Sequence, residues 1–364
     1  MFWKKKQDYR PISKAEHCKI YDVITVGSAT VDVFVKTKGD ILKIKHPNAP
    51  EEHMLVYPVG TKILIEQKKT LTGGGGTNTA VSFSRIGLKT AFLGKLGNGE
   101  LASTILNQLQ KENVQFIGTK TQSGSSRIFG IADSKHSEEQ TGYSVILDSI
   151  EHDRTILTYK GINDELSFSE INKDAINAKW MYFSSMTGNS YKTLEKLALY
   201  CSKKHILIAF NPSSYLCKQG YKFLKKLLLQ TNVLVLNLEE ARILTGKSNA
   251  MQPELLKLLR RFGPKIIVIT DGKNLVQVYD GHYHYSCQPR KVKVIETTGA
   301  GDAFASAFVA GLIQNKDISH AIRMGLANSE SIVTHFGAKT GLLKADALQR
   351  LAKKQSRVIK EKLL

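Results

Sequence analysis

Residues 296–304 read ETTGAGDAF and run directly into ASAFVAGLI, so a carboxylate, Asp302, stands in the first turn of a predicted buried helix that opens from a glycine turn. The N–H groups of a helix's first turn have no partner inside it, and the helix dipole adds partial positive charge there. Small residues let an anion approach those amides, and glycine tolerates the positive φ that such a nest requires. Gly299, Ala300 and Gly301 are suited to receive oxygens on which negative charge develops, and Asp302 to take a proton from an attacking alcohol. The plainer alternative is a glycine-rich helix start with a capping aspartate, although a capping oxygen would compete with the anion for the same N–H groups.

Two further helix starts carry polar groups at suggestive spacing. In TGGGGTNTAVSFSRIGL, residues 72–88, four glycines allow a ligand close to the backbone, and Asn78 offers both a donor and an acceptor to a diol. The same residues also fit a flexible loop in which Thr77 or Asn78 caps the helix. In LNLEEARILTG, residues 236–246, Asn237 and Glu240 share a helix face, and their spacing is that of a capping box, which local geometry alone favours.

The elements that must position these groups alternate. DVITVGSATVDVFV, residues 22–35, begins as a β-branched run suited to a buried strand and is broken at Gly27 and Asp32, the latter otherwise a turn residue. From residue 73 onward glycine turns, helices and strands follow in βαβ order, and after Trp180 the alternation is regular. Its strands end in NPS, NLEE and TDG, so polar groups collect at strand carboxyl ends, where open α/β sheets bind ligands. A doubly wound, mostly parallel sheet with helices on both faces is predicted, as one domain over 1–364. Residues 34–70 and 124–161 instead alternate apolar and polar, and are expected to pair as a small β sheet. KADALQRLAKKQSRVIKEKLL at the C-terminus reads as a basic amphipathic helix.

ETTGAGDAFASAFVAGL resembles the C-terminal signature of the PfkB/ribokinase family of carbohydrate and nucleoside kinases, D-T-x-G-A-G-D, with Glu296 where the family has Asp. TGGGGTNTA resembles its N-terminal signature. The resemblance runs over about residues 22–343 with the motifs in family order, and implies a ribokinase-like fold whose small sheet is a lid and often a homodimer contact. It implies ATP as donor, ADP being the other option, and a sugar or nucleoside as acceptor held by Asp32, Gly73, Gly74 and Asn78. Asp302 would be the base and Gly299, Ala300 and Gly301 the anion hole. Asn237, Thr270 and Gly272 would lie along the nucleotide phosphates, Asn328 in the wall of the adenine pocket, Glu240 on magnesium through water, and Glu296 at a monovalent cation such as potassium. Met186 falls where ribokinases carry an acidic side chain, which argues against a plain ribose pocket. Arg127 and Arg154, on the inserts, would meet a phosphate already on the substrate. A non-catalytic sugar-binding protein on the same fold is the competing reading, and an intact Asp302 argues against it.

Composition narrows the partners. The 364 residues carry a formal net charge of +20, but the basic residues are scattered and not interleaved with aromatics as a nucleic-acid platform requires. No run of 18 uncharged apolar residues predicts a membrane span. Cys18, Cys201, Cys217 and Cys287 lack paired spacing, which suits reduced thiols in the cytoplasm. His282 and His284 share a face of a predicted strand but have no third ligand nearby.

Overall fold

The structure, a computed structural model, describes residues 21–37, 40–46, 49–121, 140–148 and 154–362. A ten-stranded sheet runs in the order β18 (Ile359–Lys362), β17 (Tyr283–Cys287), β16 (Val276–Tyr279), β15 (Ile266–Thr270), β14 (Val233–Asn237), β13 (Leu207–Phe210), β12 (Ala178–Phe183), β1 (Tyr21–Val26), β6 (Thr90–Leu93) and β8 (Gln115–Phe116). Pairing is parallel from β8 to β15 and antiparallel from β15 to β18.

Neighbouring residues on these strands point to opposite faces, as the two-residue period of a strand demands. Ile24, Met181, Ile208, Leu234 and Ile267 join one core with α3 (Gly188–Lys203), α4 (Ser213–Cys217), α5 (Gly220–Leu228), α6 (Leu238–Thr245) and α7 (Gln252–Arg261). Val23, Tyr182, Ala209, Val235 and Val268 join another with α1 (Gly75–Arg85), α8 (Ala300–Ile313), α9 (Ile318–Ile332) and α10 (Ala345–Lys353). Both strand faces are therefore apolar, which is why these strands read as continuous hydrophobic runs. A third core lies beneath α2 (Glu100–Lys111), next to the two-residue pair of β7 (Lys95–Leu96) and β9 (Thr119–Lys120).

The smaller sheet has the order β11 (Arg154–Tyr159), β10 (Tyr143–Asp148), β2 (Thr30–Thr37) and β5 (Ile65–Gly73). Its centre pairs the two alternating intervals directly, Ile146 opposite Phe34. A separate hairpin joins β3 (Asp40–His46) and β4 (Ala49–Val56). Among the described residues no helix is long and apolar enough to cross a membrane.

Two expectations are corrected. The run over residues 22–35 breaks at Gly27 as expected, β1 ending at Val26, but not at Asp32: Gly27 to Ala29 turn the chain, and Asp32 lies inside β2 of the smaller sheet. The turn is forced by close packing, since a Cβ on Gly27 would stand 2.8 Å from Gly76 Cα at the start of α1. The basic C-terminal segment is not one helix, because α10 stops at Lys353 and residues 359–362 form β18 on the open edge of β17. The β-branched pair Val358 and Ile359 suits that edge better than a further helical turn, and Val358 packs against the sheet's core.

Candidate active site

At the start of α8, Gly299 occupies the N-cap position with φ 82°, and no side chain caps the helix. A Cβ there would stand 2.8 Å from Ala338 Cβ, whereas one on Gly301 would meet nothing within 4 Å. The first turn therefore begins on a fixed backbone, with the Ala300 N–H donating to the Thr297 carbonyl at 3.1 Å and open space beside Gly301. Asp302 does not cap: its Oδ2 accepts a hydrogen bond from Asn78 Nδ2 at 2.9 Å. That bond joins the two glycine-rich helix starts, which are 224 residues apart in sequence. Asp302 is partly buried, and removal from water pushes its carboxyl up to about 6, against smaller opposing effects of the Asn78 bond and the charge of Lys339.

Nor does Asn78 or Thr77 cap α1, whose N-cap is Gly74 at φ 91°. A Cβ on Gly74 would lie 2.5 Å from the Ser28 carbonyl oxygen, and one on Gly73 would overlap Asp32 Oδ2. The glycines thus bring the helix start against β2 and its carboxylate. Asp32 is buried, which raises its pKa; Thr30 donates to its Oδ1 at 2.9 Å and Ser144 also bonds to it. Among the described residues the buried Asn78 Oδ1 and Ser184 Oγ have no hydrogen-bond partner. Ser184, just past β12, lies near both: a Cβ on Gly75 would stand 3.1 Å from its Oγ and 3.6 Å from Asp302 Oδ1. An unsatisfied buried acceptor and hydroxyl beside a carboxylate are what a polyol would complete.

Met186, at the position where the resemblance has an acidic side chain, is buried in the hydrophobic core. Past Phe183 the chain turns toward α3, and Ser184 lies near Asp302.

On the other side, Asn237 and Thr270 are register partners at the carboxyl ends of β14 and β15. Gly272 follows with φ 53° and open space around it. Asn237 and Glu240 form the capping box: Glu240 N donates to Asn237 Oδ1 at 2.7 Å, and Asn237 N to Glu240 Oε2 at 2.9 Å. Glu240 is buried, and its pKa is raised first by desolvation and then by the charges of Glu239 and Asp302. A divalent cation held through water by Glu240 and by phosphate oxygens suits this sparse, like-charged arrangement. Among the described residues no cluster of three or more His, Cys, Asp or Glu forms an all-protein metal cage. Glu296 is buried, and its Oε2 accepts the Gly337 N–H at 2.8 Å. Arg127 lies outside the described residues, as does the side chain of Arg154.

Asn328, which the resemblance sets in the adenine wall, is fully buried, its Nδ2 donating to Ser82 Oγ and the Ala303 carbonyl and its Oδ1 accepting from Leu343 N, so it ties α9 to α1 and α8. Asn328→Ala is expected to cost about 3 kcal/mol by stranding those partners, read as a lower urea midpoint with an unchanged KM for nucleotide.

The residue that the sequence did not single out is Lys339, a buried lysine whose Nζ lies 3.0 Å from Thr72 O, 3.0 Å from Thr72 Oγ1 and 2.9 Å from Thr77 Oγ1. Nothing in the spacing of FGAKTG marks it, since a lone lysine after a helix is ordinarily solvated.

The model for pfkB family carbohydrate kinases matches residues 40–345. The chain is 24% identical over 343 residues to the ATP-dependent 6-phosphofructokinase of Thermoanaerobacterium thermosaccharolyticum, covering 92% of this chain and 94% of that protein. It is 26% identical over 335 residues to the ribokinase of Bacillus subtilis, covering 91% and 99%. In fold it resembles a putative ribokinase II from E. coli in complex with ATP and Mg2+, with a TM-score of 0.73 at 14% identity and coverage of 92% and 100%. The glycine-capped start of α8, the carboxylate in its first turn and the second glycine turn that meets it are thus set in a chain that belongs to the pfkB family of carbohydrate kinases.

Proposed function

We propose that this protein transfers the γ-phosphate of ATP to a hydroxymethyl group of a sugar or nucleoside. The observation that carries the reading is the Asn78–Asp302 hydrogen bond, which sets a raised-pKa carboxylate between an acceptor-side glycine turn and the glycine-capped start of α8. The acceptor's hydroxyls bond to Asp32, Asn78 Oδ1 and Ser184, with Gly73 and Gly74 giving close approach. Asp302 takes the proton as the acceptor oxygen forms a bond to the γ-phosphorus, and the bond from that phosphorus to the oxygen of the departing ADP breaks. The amides of Gly299, Ala300 and Gly301 receive the charge on the transferring group. Asn237, Thr270 and Gly272 orient the donor's phosphates.

Magnesium, when bound, neutralises phosphate charge; Glu240 would hold it through water. Glu240→Gln separates this role from the cap, because Gln serves in a capping box as well. The variant is expected to melt like wild type yet need about tenfold more Mg2+ for half-maximal rate; an unchanged Mg2+ requirement removes Glu240 from this role.

The smaller sheet, with β3 and β4, is read as a lid on the single domain that closes over the acceptor and excludes water. The exposed Ile156, Leu157 and Tyr159 on β11 would meet a second copy there. A screen of ribose, fructose, adenosine, cytidine and fructose 6-phosphate with ATP and Mg2+, with and without potassium, tests the whole reading. One acceptor should release ADP far above the acceptor-free rate. A flat panel sinks the proposal, and a potassium-dependent rise supports a cation beside Glu296.

A further inference from the structure

We infer that Lys339 is a positioning residue for this transfer: from behind the glycine turn its ammonium fixes Gly73–Gly76 through Thr72 and Thr77 and supplies a positive charge shared by Asp32 and Asp302. The inference rests on the reading of Asp302 as base.

The proton inventory makes Lys339 an ammonium. Thr77 Oγ1 donates its hydrogen to the Gly73 carbonyl at 2.6 Å, and Thr72 Oγ1 donates to Gln108 Oε1. Both hydroxyls can therefore only accept from Lys339, and the third partner is the Thr72 carbonyl. Three acceptors require three N–H donors, which only the charged form has. Burial pulls the group down to about 7, while the carboxylates of Asp32, Asp302 and Glu112 pull the other way and Arg85 adds to the burial effect. Lys339 lowers the pKa of Asp32 and of Asp302 in return.

The segment carrying it is braced on several sides. Arg85, at the end of α1, donates from Nη1 to the Lys339 and Leu342 carbonyls at 2.8 and 3.1 Å, and its Nε and Nη2 grip Glu112 at 2.9 and 2.6 Å. The Gly337 N–H holds Glu296, and Phe336 packs on Phe34 of β2 with ring centroids 4.6 Å apart. One short segment after α9 thereby connects the acceptor turn, the smaller sheet and the loop leading into the anion nest. All three donors of Lys339 are spent on the protein, so it does not touch substrate and acts through the turn and through its field.

Lys339→Met keeps the length and removes the charge. At pH 6.5, below the Lys339 value of about 7, it should raise the acceptor KM about tenfold and leave the ATP KM within twofold. The acid limb of kcat/KM should move about one pH unit upward, because Asp302 loses a nearby cation. Thr77→Val loosens the turn but leaves the charge, and should raise the acceptor KM without moving the limb. If Lys339→Met does not melt cooperatively, Lys339→Gln takes its place, with the same limb shift expected. An unmoved acid limb in a folded, uncharged variant overturns the inference, because a merely structural lysine would lower activity equally at all pH. Failure of the base reading is distinguishable: Asp302→Asn would then stay active whatever Lys339 variants do.

Discussion

Asp302→Asn is expected to lower kcat about 1,000-fold and, at pH 7.5, to raise the melting temperature. The first effect is the contribution of a positioned general base. Asparagine retains shape, and its side-chain oxygen can still accept from Asn78 Nδ2, so the loss isolates the proton acceptor. The second follows from linkage. The carboxyl is pushed up from its ordinary 3.8 to about 6 in the folded state, so between these values the folded chain binds a proton that the unfolded chain has released. Ionised Asp302 therefore costs stability, fully above pH 6 and not at all below about pH 4. The gain in melting temperature on going to Asn should be present at pH 7.5 and fade as pH falls through 6 toward 4. Wild-type kcat/KM should rise through an acid limb near pH 6. A folded Asp302→Asn that keeps more than a tenth of wild-type turnover rules out the base, and a lowered melting temperature at pH 7.5 rules out the desolvation account.

Gly73→Ala should weaken acceptor binding about 100-fold while leaving nucleotide binding near wild type. A methyl group at this position overlaps the Asp32 carboxylate, which cannot step aside without giving up its bonds to Thr30 and Ser144. Asn237 and Thr270, proposed to hold the nucleotide, lie at the carboxyl ends of β14 and β15 and do not share this contact. Calorimetric titration of ATP together with the acceptor KM gives the comparison. An unchanged acceptor KM would show that Asp32 is not where the acceptor binds.

Several features were legible residue by residue. The helix start at Gly299 was readable because the positive φ, the small side chains and the uncapped amides are properties of adjacent residues. So was the large sheet, whose apolar runs are buried on both faces by helices. The capping box of Asn237 and Glu240 was legible as a cap, and it is formed. Other features depended on packing. Asn328 sits in a familiar stretch, but packing of α1 and α8 around it consumes its hydrogen-bonding groups. The C-terminal amphipathic pattern extended past α10 because a helical period cannot register that β17 has an unpaired edge.

Local chemistry, determined by the sequence alone, comprises the strands, the glycine turns and the helix termini, since each depends on dihedral preferences and hydrogen bonds within a few residues. Tertiary packing alone decided that Asp302 meets Asn78, that Asp32 lies under Gly73, and that a lysine near the C-terminus is buried behind the glycine turn. Electrostatic coupling depends on separation in space and on exclusion of water, and neither is encoded in the spacing of residues along a chain.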